Sequence, residues 1–254
     1  MILPGLCSVT FRQFTAEEVI ALVSKAELAA IEWGGDVHVP HGDLACAKEI
    51  AKRCADAGIA TPTYGSYFRT DPAAELPEFS AVLDSAQALG AKTIRIWAGQ
   101  KESAQMTEDD WKSLIDESLR VAALAGEAGC EVAFEYHLHT ATDDNAAVER
   151  LLREADHPAV RTYWQPRQKL TTEERLESLR AVLPKLAHLH VFQWVGDPIE
   201  RRPLAEGVDA WSQYFQLADT VEGERFAFLE FVPEDSAQSF FADAAALSAM
   251  LRSR

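Results

Sequence analysis

The sequence predicts an α/β protein of one domain, a (β/α)8 TIM barrel. Three observations predict it. Short apolar runs alternate with capped helical segments eight times along the chain. The 254 residues match the size at which such a barrel closes. No GxGxxG follows the first apolar run, and no low-complexity linker divides the chain. Those two absences disfavour an open dinucleotide-binding sheet and a two-domain layout.

Each element has its own signal. Residues 3–8 form the first apolar strand, and Thr15 with Glu18 is a capping-box pattern opening a helix to about Lys25. A second strand over 28–33 leads to a helix over 43–57 that Gly58 ends. Residues 59–64 make a third strand, and 77–89 a helix closed by Gly90. The fourth strand is 92–97, and Thr107 with Asp110 caps the helix that runs to about 129. The fifth strand is 131–136, followed by a helix over 142–154 with Thr142 or Asp143 as cap. The sixth is 160–164, and Thr171 with Glu174 opens the next helix to about 183. Strands over 188–194 and 226–231 follow, separated by a helix over 208–219, and an amphipathic helix over 236–251 closes the chain.

Composition bounds the function. Lys and Arg number 24 against 40 Asp and Glu, a net charge of −16. That balance argues against a nucleic-acid or anionic-membrane partner, because both need a basic face. No run approaches the roughly 20 apolar residues of a membrane span. The opening MILPGLC has no basic region of the signal-peptide kind. Four scattered cysteines without a CxxC pair suit reduced thiols, so a cytoplasmic location is expected.

In such a barrel, chemistry belongs at the C-terminal strand ends. The stretch EVAFEYHLHT, 131–140, passes that filter best. Alternation puts Val132, Phe134 and Tyr136 on one face and Ala133, Glu135 and His137 on the other. The sixth strand ends in Gln165, just before Pro166. The seventh, HLHVFQW, has His188 and His190 on one face. The eighth, FAFLEFV, puts Glu230 on a face with Phe228, while Ala227, Leu229 and Phe231 face the helices. Two Glu, one His and one amide oxygen form an O/N donor set for Mn²⁺, Mg²⁺, Co²⁺ or Zn²⁺. Inside a barrel, such groups are costly to bury without a cation. Glu32, at the end of the second strand, is expected to pair with Arg95 on the fourth as a structural ion pair. His38 and His41 lie in a rim loop, and Tyr64, Ser66, Tyr67 and Trp97 are candidates for the pocket wall.

The pieces IEWGGDVH, FEYH, HLHVFQW, RRPLAEGVDAW and FLEFV together resemble the xylose isomerase-like TIM barrels, a group with sugar-phosphate isomerases, epimerases and inosose dehydratase. The resemblance spans nearly the whole chain. It implies one divalent metal ion held by Glu135, the Gln165 position, His190 and Glu230. Gln165 departs from the family, which usually has Asp there; an amide oxygen still ligates but carries no charge, so weaker metal affinity is expected. The resemblance also points to Arg202, with Arg201 beside it, as a group that holds a substrate oxygen or phosphate.

On this reading, Glu135 and Glu230 are the acid–base pair, in either direction, of a metal-dependent isomerase or epimerase. Its substrate is a small sugar-like hydroxy-carbonyl compound, and the developing enediolate is stabilised by the ion. His38, Tyr64, Trp97, His137 and Arg202 are the expected substrate contacts. Three alternatives stand beside it: a dehydratase using the same site, a non-catalytic sugar-binding protein, and a phosphodiesterase related to endonuclease IV. The last needs three zinc ions and more ligands than this chain offers. A homo-oligomer is compatible with the sequence, which does not specify one.

Overall fold

The computed structural model describes residues 1–71 and 78–253. The chain runs β1 (Ile2–Cys7), α1 (Ala16–Lys25), β2 (Ala30–Gly34), α2 (Leu44–Asp56), β3 (Ala60–Arg69), α3 (Phe79–Leu89), β4 (Thr93–Trp97), α4 (Glu108–Glu127) and β5 (Glu131–Glu135). It continues through α5 (Asn145–Glu154), β6 (Val160–Trp164), α6 (Thr172–Val182), β7 (Leu186–Val191), β8 (Gln193–Val195), β9 (Glu200–Arg202), α7 (Val208–Ala218), β10 (Arg225–Leu229) and α8 (Ala237–Arg252). Eight parallel strands close in the order β1-β10-β7-β6-β5-β4-β3-β2, and β1 pairs with both β10 and β2. This is the (β/α)8 barrel that the alternation predicts.

The period of two along each strand sorts the side chains into two layers. Outward residues such as Trp33, Ile94, Phe134, Trp164 and Leu189 join the helices in one large apolar cluster. Each large side chain fully buried there contributes roughly 1.5–3 kcal/mol, so this outer layer dominates stability. Inward residues form a smaller cluster of Cys7, Ala30, Ala133, Tyr163, Ala187, Phe226 and Phe228. Above it the inward positions turn polar: Glu32, Arg95, Glu135 and His190 are all buried.

The capping boxes expected at Thr15, Thr107 and Thr171 are present with both reciprocal bonds. Several details differ. The fifth helix begins at Asn145, capped by Asp144 rather than Thr142 or Asp143. The Thr142 hydroxyl is already engaged, donating to the Glu135 carbonyl oxygen at 2.6 Å. The seventh strand ends at Val191, and Gln193–Val195 leaves the barrel to pair antiparallel with Glu200–Arg202. Alternation continues through both strands, so the sequence reads as one. Phe231, expected to face the helices, has φ of 51° and packs instead on the inner cluster, 6.0 Å from Trp194. Pro77, the expected start of the third helix, lies outside the described residues. No helix among the described residues is long and apolar enough to cross a membrane, and all four cysteines are free thiols.

Candidate active site at the mouth of the barrel

The strand ends converge on the His190 imidazole. Its Nδ1 faces Gln165 Oε1 at 3.1 Å, Glu135 Oε1 at 3.4 Å and Glu230 Oε2 at 3.5 Å. Its Nε2 faces Glu32 Oε1 at 3.3 Å. These groups come from five different strands or strand ends, which β5, β6, β7 and β10 bring to one depth and β2 supports from the far side. Gln165 is oriented by its other end: Nε2 donates to the Tyr136 carbonyl oxygen, leaving Oε1 aimed at His190.

A second cation lies beneath. Arg95 is 2% exposed; its Nε donates to Glu32 Oε1 at 2.7 Å, and its Nη1 donates to Glu135 Oε2. Trp97 Nε1 also donates to Glu135 Oε2, at 2.5 Å. The expected Glu32–Arg95 pair is therefore present, but it reaches on to Glu135, a link that sequence reasoning missed. Gly65 belongs to the same arrangement. A Cβ there would meet Arg95 Nη2 at 2.5 Å and Glu32 Oε1 at 3.1 Å, so the guanidinium occupies the space that a side chain would take.

Electrostatics separate the two glutamates proposed as a catalytic pair. Burial alone would raise both carboxyls. For Glu135 the Arg95 guanidinium outweighs burial and holds the group well below the usual carboxylate range. Glu32 is held low the same way, by Arg95 and then His190. Glu230 lacks a bonded cation of that kind, and burial together with Glu135 pushes it up to about 7. Burial would lower His190, but Glu230 and Glu32 outweigh it and raise the imidazole well above its ordinary value. His188, on the same face, stays out of the cluster. Its Nδ1 accepts from the Phe226 amide at 3.2 Å, and burial pulls its pKa down to about 3.

The donor set fits a divalent cation on two counts. Oxygen and nitrogen ligands bound at roughly 2.0–2.2 Å to one ion lie roughly 3.0–3.5 Å from one another. The approaches to His190 Nδ1 given above fall in that range. The charges also match: with His190 neutral as a ligand, Glu32, Glu135 and Glu230 against Arg95 leave two negative charges on buried groups. Among the described residues, the acid, His and Cys donors mutually within 4.8 Å are Cys7, His190 and Glu230, a group that leaves out Glu135, whose approach is to His190 alone of the three. Cys7 is the addition that sequence reasoning missed, having read as a small buried residue. Its Sγ donates to Glu32 Oε1 at 3.2 Å, on the Nε2 side of the ring, away from Gln165.

The expected substrate contacts divide. Trp97 and His137 are at the mouth, with ring centroids 4.4 Å apart. His137 also lines a cavity of about 320 Å³ with Gln165, Phe192, Trp194 and Arg167. Tyr64 is a correction: its ring belongs to the outer cluster, and its hydroxyl donates to the Val39 carbonyl oxygen at 2.6 Å. Ser66 likewise points away, donating to the Arg95 carbonyl oxygen at 2.7 Å. The inward residues of β3 are Thr63, Gly65 and Tyr67, one step out of phase with Tyr64. His38 is also a correction, buried against Trp33 with Nε2 3.1 Å from the Phe14 carbonyl oxygen. His41 contacts the Tyr64 hydroxyl at 2.8 Å. Arg202 is engaged by Glu206 at 3.0 Å and Glu200 at 2.8 Å. Its neighbour Arg201 lies 4.8 Å from the Phe231 ring and is itself engaged by Asp235 at 2.7 Å.

Comparison with known proteins agrees with this architecture. A family model described as xylose isomerase-like TIM barrel matches residues 20–239. Inosose dehydratase from Bacillus anthracis is 24% identical over 214 residues, covering 77% of this chain and 68% of that protein. Among solved structures, a probable 3-DHS dehydratase involved in petrobactin synthesis in Bacillus anthracis superposes with a TM-score of 0.82 at 17% identity, covering 97% of this chain and 99% of that one. The IolI protein with a bound zinc atom superposes with a TM-score of 0.77 at 13% identity, covering 99% of each chain.

Proposed function

The chain belongs to the xylose isomerase-like TIM barrel family, and from that premise we propose that it is a divalent-metal-dependent dehydratase. Its substrate on this reading is a small keto-polyol or similar hydroxy-carbonyl compound. The observation that carries the reading is the convergence of Gln165, Glu135 and Glu230 on His190 Nδ1 at 3.1–3.5 Å. Two relatives add support, one named an inosose dehydratase and the other a probable 3-DHS dehydratase. The zinc of IolI supports a metal of that charge. A cation held by Glu135, Gln165, His190 and Glu230 would supply Lewis-acid polarisation of the substrate carbonyl.

The chain's own groups account for the protons. His137 Nδ1 lies 2.6 Å from the Leu138 carbonyl oxygen, an atom that only accepts, so the ring proton sits there. That leaves Nε2 as an acceptor beside the cavity, suited to take a proton next to the carbonyl. Glu135 is a poor proton carrier because Arg95 and Trp97 fix its charge; it orients and neutralises. Glu230, with no guanidinium bonded to it, is the freer carboxylate to relay a proton to a departing hydroxyl. The aromatic wall of Trp97, Phe192 and Trp194 excludes water and suits the C–H face of a sugar-like ring.

A second reading, isomerase or epimerase, rests on the placing of two carboxylates at nearly equal distance from His190 Nδ1. One assay separates them. Protein loaded with Mn²⁺ or Zn²⁺ is incubated with inosose and with a 3-DHS substrate in deuterated buffer. Dehydration removes water and creates a conjugated product read by its ultraviolet absorbance. Glu230→Gln and His137→Gln are each expected to lower the rate by about 10²–10⁴-fold. Deuterium uptake without loss of water would replace the dehydratase by the isomerase. Full activity in either variant would remove that residue from the mechanism.

A further inference from the structure

We infer that Glu32 is a positioning residue that selects Nδ1 of His190 as the metal-binding atom, and that Arg95 does the same for one oxygen of Glu135. This rests on the metal reading above and adds residues from the barrel's other half to it. On sequence, Glu32 and Arg95 are a structural ion pair. The geometry assigns them a further task.

An imidazole can offer either nitrogen, and the hydrogen bond made by one decides what the other does. Glu32 Oε1 lies 3.3 Å from Nε2, while all three expected co-ligands lie on the Nδ1 side. Glu32 accepting from Nε2 fixes a proton there, so Nδ1 is the nitrogen left to give its lone pair to a cation on the side of Gln165, Glu135 and Glu230. A carboxylate behind a metal-bound histidine orients the ring and makes it more basic.

Glu32 is itself held rigidly. It is fully buried, and its Oε1 accepts from Arg95 Nε at 2.7 Å and from Cys7 Sγ at 3.2 Å. The same guanidinium reaches Glu135 Oε2, which Trp97 also bonds. Only Oε1 of Glu135 then faces His190, which makes it a one-oxygen ligand. One buried cation thus fixes the donor atoms on two strands. The absence of a side chain at Gly65 makes room for it.

The test uses full-length protein with isotopically labelled histidine, loaded with a magnetic cadmium isotope. The expected result is a one-bond cadmium coupling to Nδ1 of a single histidine whose Nε2 carries a proton. Coupling to Nε2 instead overturns the inference without needing any variant. Glu32→Gln keeps the shape but weakens the acceptor. It is expected to lower cadmium and zinc affinity about 10–100-fold, with the folded circular-dichroism spectrum retained. A folded Glu32→Gln protein that binds as tightly as wild type also overturns it. Wild-type protein that takes up neither metal fails the metal reading itself, a result distinct from metal bound through the wrong nitrogen.

Discussion

Gly65 has little room to change. Its Cβ-sized space is filled by the Arg95 guanidinium, which is buried and already bonded on two sides. Gly65→Ala is therefore expected to destabilise the protein by about 1–3 kcal/mol, the usual cost of overpacking, read as a lower denaturation midpoint in urea. An unchanged midpoint would mean that Arg95 has somewhere else to go. At this scale the sequence was partly legible. The convergence of Glu135, His190 and Glu230 was legible because strand alternation and strand ends are both readable. Tyr64 and His38 were not placed, for different reasons. One residue of phase along β3 sends Tyr64 to the helices, and nothing in a loop sequence shows that His38 folds back onto Phe14. Adjacent arginines in the β8–β9 hairpin point opposite ways, so Arg201 and Arg202 could be told apart only once that hairpin was known.

At the scale of elements, capping boxes were legible because both partners lie within one turn. The start of α5 was not, because Thr142 is drawn away by the end of β5, a contact between two elements. The end of β7 was not, because a hairpin strand carries the same alternation as a barrel strand. One contact between elements makes a pH prediction. Asp243 on α8 accepts from the Leu204 amide at 2.8 Å, and burial pushes its carboxyl up to about 6. A carboxyl raised above its unfolded value binds its proton more tightly in the folded state. Stability from this group is then present at low pH and is lost as pH rises from about 4 through about 6. Asp243→Asn removes the buried charge while keeping an acceptor for Leu204. It is expected to stabilise by about 1–3 kcal/mol at pH 8 and to be neutral near pH 4. Thermal melts of both proteins at the two pH values check this, and equal shifts at both would contradict it.

At the scale of the whole molecule, eight short apolar runs with capped helices between them were enough to specify the barrel. The closure that β1 makes with β10 and β2 then brings the last strand ends to one place without further information. What sequence could not supply was the centre of that place. Beyond the expected pair with Glu32 on β2, Arg95 also bonds Glu135 on β5, and a side chain that bridges two strands leaves no local pattern. The chain's net charge of −16 conceals this buried cation and the charges around it. The account depends on those charges leaving room for one more cation. The most direct measurement is anomalous diffraction from crystals soaked in Mn²⁺. One ion bonded to Glu135 Oε1, Gln165 Oε1, His190 Nδ1 and Glu230 is the predicted result. Crystals that hold no ion at the mouth, or hold it away from these four side chains, would contradict it.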